Sequence, residues 1–275
     1  RLSGYPRGVM ALRNVRIEVA YDGSLFFGWQ RQDGFDSVQA AIEDGLTELL
    51  GTIVTVHGAG RTDTGVHALR QVAHFLVDTR LDDDRLRHAL NAHLPVGVRI
   101  RRAETCRDDF HARFDARGKR YAYVVQCTRH RPALGIEQVH WDPAPLDRAA
   151  MEAAAERIVG RRDFAAFATA GSPRKSTVRT VQHLRLVARR ERFAIVVQGD
   201  GFLYNMVRAI AGTLIQVGKG AMSPDDVSAA LQARDRSLAG PTAPARGLYM
   251  VRVLYEEPVF CGPDQGPAGV PGLVN

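Results

Sequence analysis

A chain of 275 residues with 45% hydrophobic content is long enough for one large or two small domains around a sizeable core, and has the composition of an ordinary globular protein. Its net charge of +7 and pI near 9.7, with every basic side chain except Lys119, Lys175 and Lys219 an arginine, fit either a binder of nucleic acid or a genome biased towards Arg, Ala, Val and Gly. No apolar window reaches a transmembrane length. The first nine residues lack the apolar core of a signal peptide and precede a plausible start at Met10. Three scattered cysteines, Cys106, Cys127 and Cys261, fit a reducing cytoplasm and make no zinc pattern.

Val15, Ile17, Val19 and Tyr21 alternate with Arg16, Glu18 and Ala20, the pattern of a half-buried strand. Asp22-Gly23-Ser24 turns the chain into Phe26-Phe27-Gly28-Trp29, aromatics that fit a core or a base-stacking surface and are read as core. Ser37 caps a helix over 38–50 that Gly51 ends. A strand at 53–57, a glycine-rich loop and a strand at 71–77 follow. A helix over 82–93 stops before Pro95, and a strand at 98–105 completes the order β-α-β-β-α-β. Asp108 to Phe114 bridges to a second half. There the pattern predicts a strand at 115–127, a Pro-containing stretch at 132–145, a helix at 146–159 and the basic loop Gly171-Ser172-Pro173-Arg174-Lys175-Ser176. A hairpin of strands 178–188 and 193–199, a helix over 203–217, a helix opened by Ser223-Pro224, a loop at 241–246 and a strand at 248–255 complete it.

The second half thus repeats the order β-α-β-β-α-β with one extra short helix. The expected fold is α+β: two ferredoxin-like halves, 10–107 and 108–257, whose antiparallel sheets join into one central sheet, with an irregular tail at 258–275.

The loop between the strands of the first half carries the chemistry. It reads His57-Gly58-Ala59-Gly60-Arg61-Thr62-Asp63-Thr64-Gly65-Val66-His67-Ala68. Glycines at 58, 60 and 65 allow unusual backbone angles and close approach of another molecule. Arg61 stands two residues before Asp63, and a nearby guanidinium favours the ionised carboxylate, a possible nucleophile or base. A turn with a surface ion pair explains the same residues without any function.

From Gly60 to Ala68 the string resembles the active-site motif of the TruA-type tRNA pseudouridine synthases in eight of nine positions, with Thr64 where the family usually has Ala. The resemblance continues in order along the chain. It runs through Tyr21-Asp22-Gly23, Gly28-Trp29-Gln30, Val38-Gln39, Phe110-His111-Ala112-Arg113-Phe114, Lys119-Arg120-Tyr121, Asp163-Phe164 with Phe167, Phe202-Leu203, Met206-Val207-Arg208 and Pro244 to Tyr249.

It implies isomerisation of uridine to pseudouridine at positions 38, 39 and 40 of the anticodon arm of tRNA, on a base flipped from its stack. No cofactor is expected. Asp63 would be the nucleophile, attacking C1′ or the uracil ring. Arg61 would enter the space of the flipped base, and Arg208 would pair with Asp63 and hold it ionised. Tyr121 would stack on the uracil and offer a hydroxyl for proton transfer, and Leu248 would pack on the other side. Read without the resemblance, Arg208 is a solvated helix residue, and Tyr121 and Leu248 are core. Arg174, Lys175, Arg161 and Arg162 are the expected phosphate contacts.

The family's bacterial members are homodimers whose tRNA touches both subunits, which implies a cytoplasmic homodimer here. His57, His67 and His74 make no metal-binding spacing and are read as structural. Two other functions fit the bare pattern: a non-catalytic RNA-binding ferredoxin-like module, and a hydrolase using Asp63 with a histidine.

Overall fold

The computed structural model describes residues 12–169, 176–257 and 259–260. Met10, Arg174, Lys175 and most of the expected tail lie outside them. Among the described residues the chain forms five α-helices and ten strands, a mixed α+β architecture around one large, mostly antiparallel sheet. In chain order these are β1 (Arg13–Tyr21), α1 (Val38–Leu50), β2 (His57–Gly58), β3 (His67–Val77), α2 (Asp83–His93), β4 (Val98–Thr105), β5 (Ala116–Cys127) and β6 (His140–Asp142). Then come α3 (Arg148–Ile158), β7 (Gly160–Asp163), β8 (Val178–Arg189), β9 (Arg192–Gly199), α4 (Met206–Gly218), α5 (Pro224–Ala233) and β10 (Leu248–Tyr255).

The sheet runs β4-β1-β3-β10-β5-β9-β8-β7, with β2 on β3 and β6 on β5. Its middle joint is the one that matters for function. There β3 and β10 pair in parallel, Tyr249 opposite His67 and Met250 opposite Ala68. On its other side β10 pairs antiparallel with β5, placing Leu248 opposite Tyr123 and Met250 opposite Tyr121. Segments nearly two hundred residues apart in sequence thus meet at the C-terminal end of the glycine-rich loop.

Local chemistry explains the helix ends. The Ser37 side chain accepts from the Ala40 N–H, and Gly51 closes α1 in the left-handed region at φ 71°. Asp82 accepts from the Arg85 N–H, with Asp83 and Asp84 in the first turn where the helix dipole favours negative charge. Ser223 and Asp226 form a reciprocal capping box on α5.

The expected strand at 53–57 is corrected: only His57 and Gly58 join the sheet, against His74 and Ala73. The alternation there has another use. Val54 and Val56 are buried while Ile53 is 91% exposed. The backbone at Val56 is satisfied from α1, its N–H donating to Glu43 Oε1 (3.0 Å) and its carbonyl accepting from Gln39 Nε2 (3.0 Å). With side chains taking those bonds, no strand partner is needed.

The strand expected at 71–77 begins earlier, at His67. The helix expected over 203–217 begins at Met206, because Asn205 sits at φ 60°, outside helical geometry. Two short strands, β6 and β7, fall in stretches to which the pattern assigns no strand.

The main core draws on all five helices and on one face of the sheet, including Ile17, Phe75, Tyr123 and Ile195. A smaller cluster of Ala122, Val124, Val139, Ala194, Tyr249 and Val251 lies on the other face. The odd–even split along β5 follows from strand alternation. It places Lys119 and Tyr121 on the face of Tyr123. Among the described residues no helix is long and apolar enough to cross a membrane.

Candidate active site

The loop after β2 is held by its neighbours as well as by a turn of its own. The Trp29 N–H donates to the Thr62 carbonyl (3.0 Å), and Tyr21 Oη and Thr62 Oγ1 lie 2.8 Å apart. Gln71 Nε2 donates to the Gly60 carbonyl (2.7 Å), and the Val66 N–H donates to the Asp63 carbonyl (3.1 Å). Gly65 makes the turn at φ 80°, a region costly for residues with a Cβ. Thr62 and Val66 are buried beneath. Thr62 therefore points inward, and Arg61 and Asp63 on either side of it face outward.

They face a cleft of about 1380 Å³, larger than the usual small-molecule pocket. Arg61, Asp63, Tyr121, Arg208 and Leu248 all line it. Four elements bring them together: the loop itself, β5, α4 and the start of β10. Tyr121 is 8% exposed, meets the Phe202 ring edge-on with centroids 5.3 Å apart, and has no hydrogen bond to its hydroxyl among the described residues. Burial first, then the neighbouring Tyr21 and Asp63, push its phenol pKa up, so it holds its proton at neutral pH. Leu248 is 7% exposed at the start of β10.

Two electrostatic expectations are corrected. Arg208 makes no ion pair with Asp63 within 4.0 Å among the described residues. Its Nε donates to the Ala243 carbonyl (2.7 Å) and its Nη1 to Asn205 Oδ1 (2.9 Å), which ties α4 to the segment before β10. Arg61 is exposed and has no polar partner among the described residues. Asp63 is instead governed by burial, which raises its carboxyl pKa above the ordinary value, while the more distant Arg208 charge lowers it and only partly offsets the burial.

A prediction follows for Arg208→Met. Removing the cation lets Asp63 hold its proton to higher pH. The acid limb of a single-turnover rate profile should therefore move to higher pH, with the melting temperature recorded alongside. An unmoved limb would deny Arg208 any influence on the carboxylate.

The phosphate candidates separate. Arg161 and Arg162 lie on β7 and line a different groove of about 440 Å³ with Arg157 and Arg234. Arg174 and Lys175 fall outside the described residues. The cleft also contains His57, read from sequence as structural, and four residues given no role there: His111, Arg113, Phe114 and Lys119. Phe114 is 73% exposed. The signal for Lys119 was present in its place two residues before Tyr121 on one strand.

His67 is structural in geometry, its Nδ1 accepting from the Gly23 N–H (3.0 Å) and its Nε2 facing the Glu137 (2.9 Å) and Arg246 (3.1 Å) carbonyls. His74 is buried against His57 and His111, and its Nδ1 accepts from the Ala112 N–H (3.2 Å). Burial foremost, with those two histidines, depresses its pKa from 6.5 to about 4. Between those values the unfolded chain binds a proton that the folded one refuses. Stability is therefore full above about pH 6.5 and falls as pH drops towards 4, by up to about 3 kcal/mol from this group. His74→Gln should flatten the melting temperature across that window. An unchanged slope would assign the loss to other groups.

A family model described as tRNA pseudouridine synthase matches residues 17–115 and 154–256. Relatives each named tRNA pseudouridine synthase A align along nearly the whole chain. The one from Rhodopseudomonas palustris is 43% identical over 244 residues, covering 88% of this chain and 98% of its own. That from Agrobacterium fabrum is 42% identical over 245 residues, covering 88% and 92%. That from Caldicellulosiruptor bescii is 41% identical over 244 residues, covering 89% and 100%. Among solved structures, a chain of a Cbf5-Nop10-Gar1 complex matches 88% of this chain and 60% of its own at 12% identity and a TM-score of 0.33, too low to bear on the fold.

Proposed function

This chain belongs to the tRNA pseudouridine synthase family, and on that premise we propose that it isomerises uridine at positions 38, 39 and 40 of the anticodon arm of tRNA, with Asp63 as nucleophile. The observation that carries the reading is the meeting of Arg61, Asp63, Tyr121, Arg208 and Leu248 on one cleft wide enough for a nucleotide. The N-glycosidic bond breaks, the uracil turns over, and C5 bonds to C1′. Nothing is oxidised or consumed.

The uridine must first leave its stack, at a cost of a few kcal/mol that contacts to the RNA backbone offset. Arg61, exposed and without a polar partner among the described residues, is placed to take the vacated space. Tyr121 and Leu248 flank the extruded base, one by ring stacking and one by apolar contact. A half-buried carboxylate with a raised pKa is poorly solvated, which makes its ionised form a stronger nucleophile when it reacts. Arg208 biases it towards that form from a distance.

Two ferredoxin-like halves, 10–107 and 108–257, are the division we read in the chain. The strand orders β4-β1-β3-β2 and β10-β5-β9-β8 support it, with β3 and β10 as the seam. We further place the enzyme in the cytoplasm as a homodimer, by analogy with its family.

Release of tritium from C5 of labelled uridine in tRNA tests the activity, because only the isomerase frees it while leaving the chain intact. A non-catalytic binder releases none, and a hydrolase liberates a fragment. Arg161→Ala with Arg162→Ala tests the groove on β7. The pair should weaken tRNA binding and flatten its dependence on salt by roughly one to two counterions. An unchanged slope would mark these arginines as merely solvated.

A further inference from the structure

We infer that Lys119 and Arg113 form a seat for one backbone phosphate beside the extruded uridine, an inference that rests on the reading of the cleft given above. Lys119 leaves β5 on the same face as Tyr121, about 7 Å along the strand. That offset is of the size that separates a base from the phosphate beyond its ribose. The side chain is laid against the catalytic loop: a methyl group on Gly60 would stand 2.5 Å from Lys119 Nζ. A side chain at 60 would oblige the end of the Lys119 side chain to shift, so the ammonium lies directly against the backbone of the loop. Both Lys119 and Arg113 line the cleft.

Neither cation is answered. Among the described residues the Lys119 ammonium and the Arg113 guanidinium make no hydrogen bond or ion pair; Arg113 only lies over the Phe114 ring at 5.9 Å. Lys219, the other described lysine, is paired to Asp142 at 2.6 Å. Burial first, then the Arg113 charge, depress the Lys119 pKa, so the two cations lining the cleft repel one another. Like charges held together without a counter-ion cost free energy that a bridging anion removes. An RNA strand supplies one such anion per nucleotide. A uracil carbonyl, being neutral, would satisfy a hydrogen bond and leave the second charge unanswered.

The test is a binding cycle between protein and RNA. Anticodon-arm RNAs are made with one neutral methylphosphonate linkage, either 5′ or 3′ of the target uridine. The wild-type protein should bind one of the two about 10- to 100-fold more weakly than the unmodified RNA. Lys119→Met with Arg113→Met should lose a similar factor on unmodified RNA and nothing further on that modified one. Lys119→Arg should bind as the wild type does. Losses that multiply, or a wild type indifferent to both linkages, would overturn the seat, and the second arm needs no variant to fold. Pseudouridine formation by the wild type on the unmodified RNA is read in parallel. Its absence would sink the functional reading and the seat together, whereas product with multiplying losses would sink the seat alone.

Discussion

Asp63→Asn should fold, bind tRNA and form no pseudouridine. Removing the proposed covalent nucleophile leaves only binding and orientation, and in enzymes with such a nucleophile turnover falls by about 10⁴- to 10⁶-fold. The swap is nearly isosteric, and Asp63 makes no hydrogen bond from its carboxylate and no ion pair among the described residues that Asn would break. Its raised pKa adds a second expected result. A carboxylate whose folded pKa lies above its unfolded value is destabilising once ionised, so at neutral pH the native enzyme carries a cost that the amide lacks. Asp63→Asn should therefore melt at the same temperature as the wild type or slightly above it. Loss of activity with retained stability is the signature of a group kept for chemistry at the expense of folding. A variant that melts lower would make the carboxylate structural, and product above the uncatalysed background would remove Asp63 from the nucleophile's role.

The parts legible in the sequence were those set by local rules. Ser37 with Gly51 and Ser223 with Asp226 mark helix ends because their side chains and backbone angles act within one turn. The Gly60–Ala68 loop was legible because its glycines and charges fall in one short string. What was missed depended on distant partners. The alternation at 53–56 resembles a strand, and only the position of Gln39 and Glu43 on α1 reveals that side chains take its hydrogen bonds. Strands β6 and β7 are too short to show a period and exist because β5 and β8 offer edges. The Arg208–Asp63 pair is what the family resemblance implies; read without it, Arg208 is a solvated helix residue. Sequence does not carry the carbonyl of Ala243, which takes the guanidinium instead. Lys119 was legible as a position and not as a function, because an unanswered cation is visible only when its surroundings are.

Tyr121→Phe separates two jobs that the proposed mechanism gives one side chain. The ring stacks on the uracil, worth about 1–3 kcal/mol per base in single-strand binders. The hydroxyl moves a proton, and general acid–base groups contribute roughly 10²–10⁴-fold in rate. Phenylalanine keeps the ring and its edge-on contact with Phe202, so tRNA affinity should be nearly unchanged while the single-turnover rate falls by about 10²–10⁴-fold. The geometry favours a clean experiment, because the hydroxyl has no hydrogen-bond partner among the described residues and its removal leaves none unsatisfied. Its pKa is held high by burial and by the adjacent Asp63, so the resting group is protonated. It therefore enters the reaction as a donor or relay, taking a proton only after giving one. Tyr121→Leu should lose the stacking as well, weakening binding in addition to slowing turnover. Were the residue only core, Phe would retain full activity and Leu would chiefly lower the melting temperature. An active, tightly binding Phe variant would assign the proton to another group in the cleft.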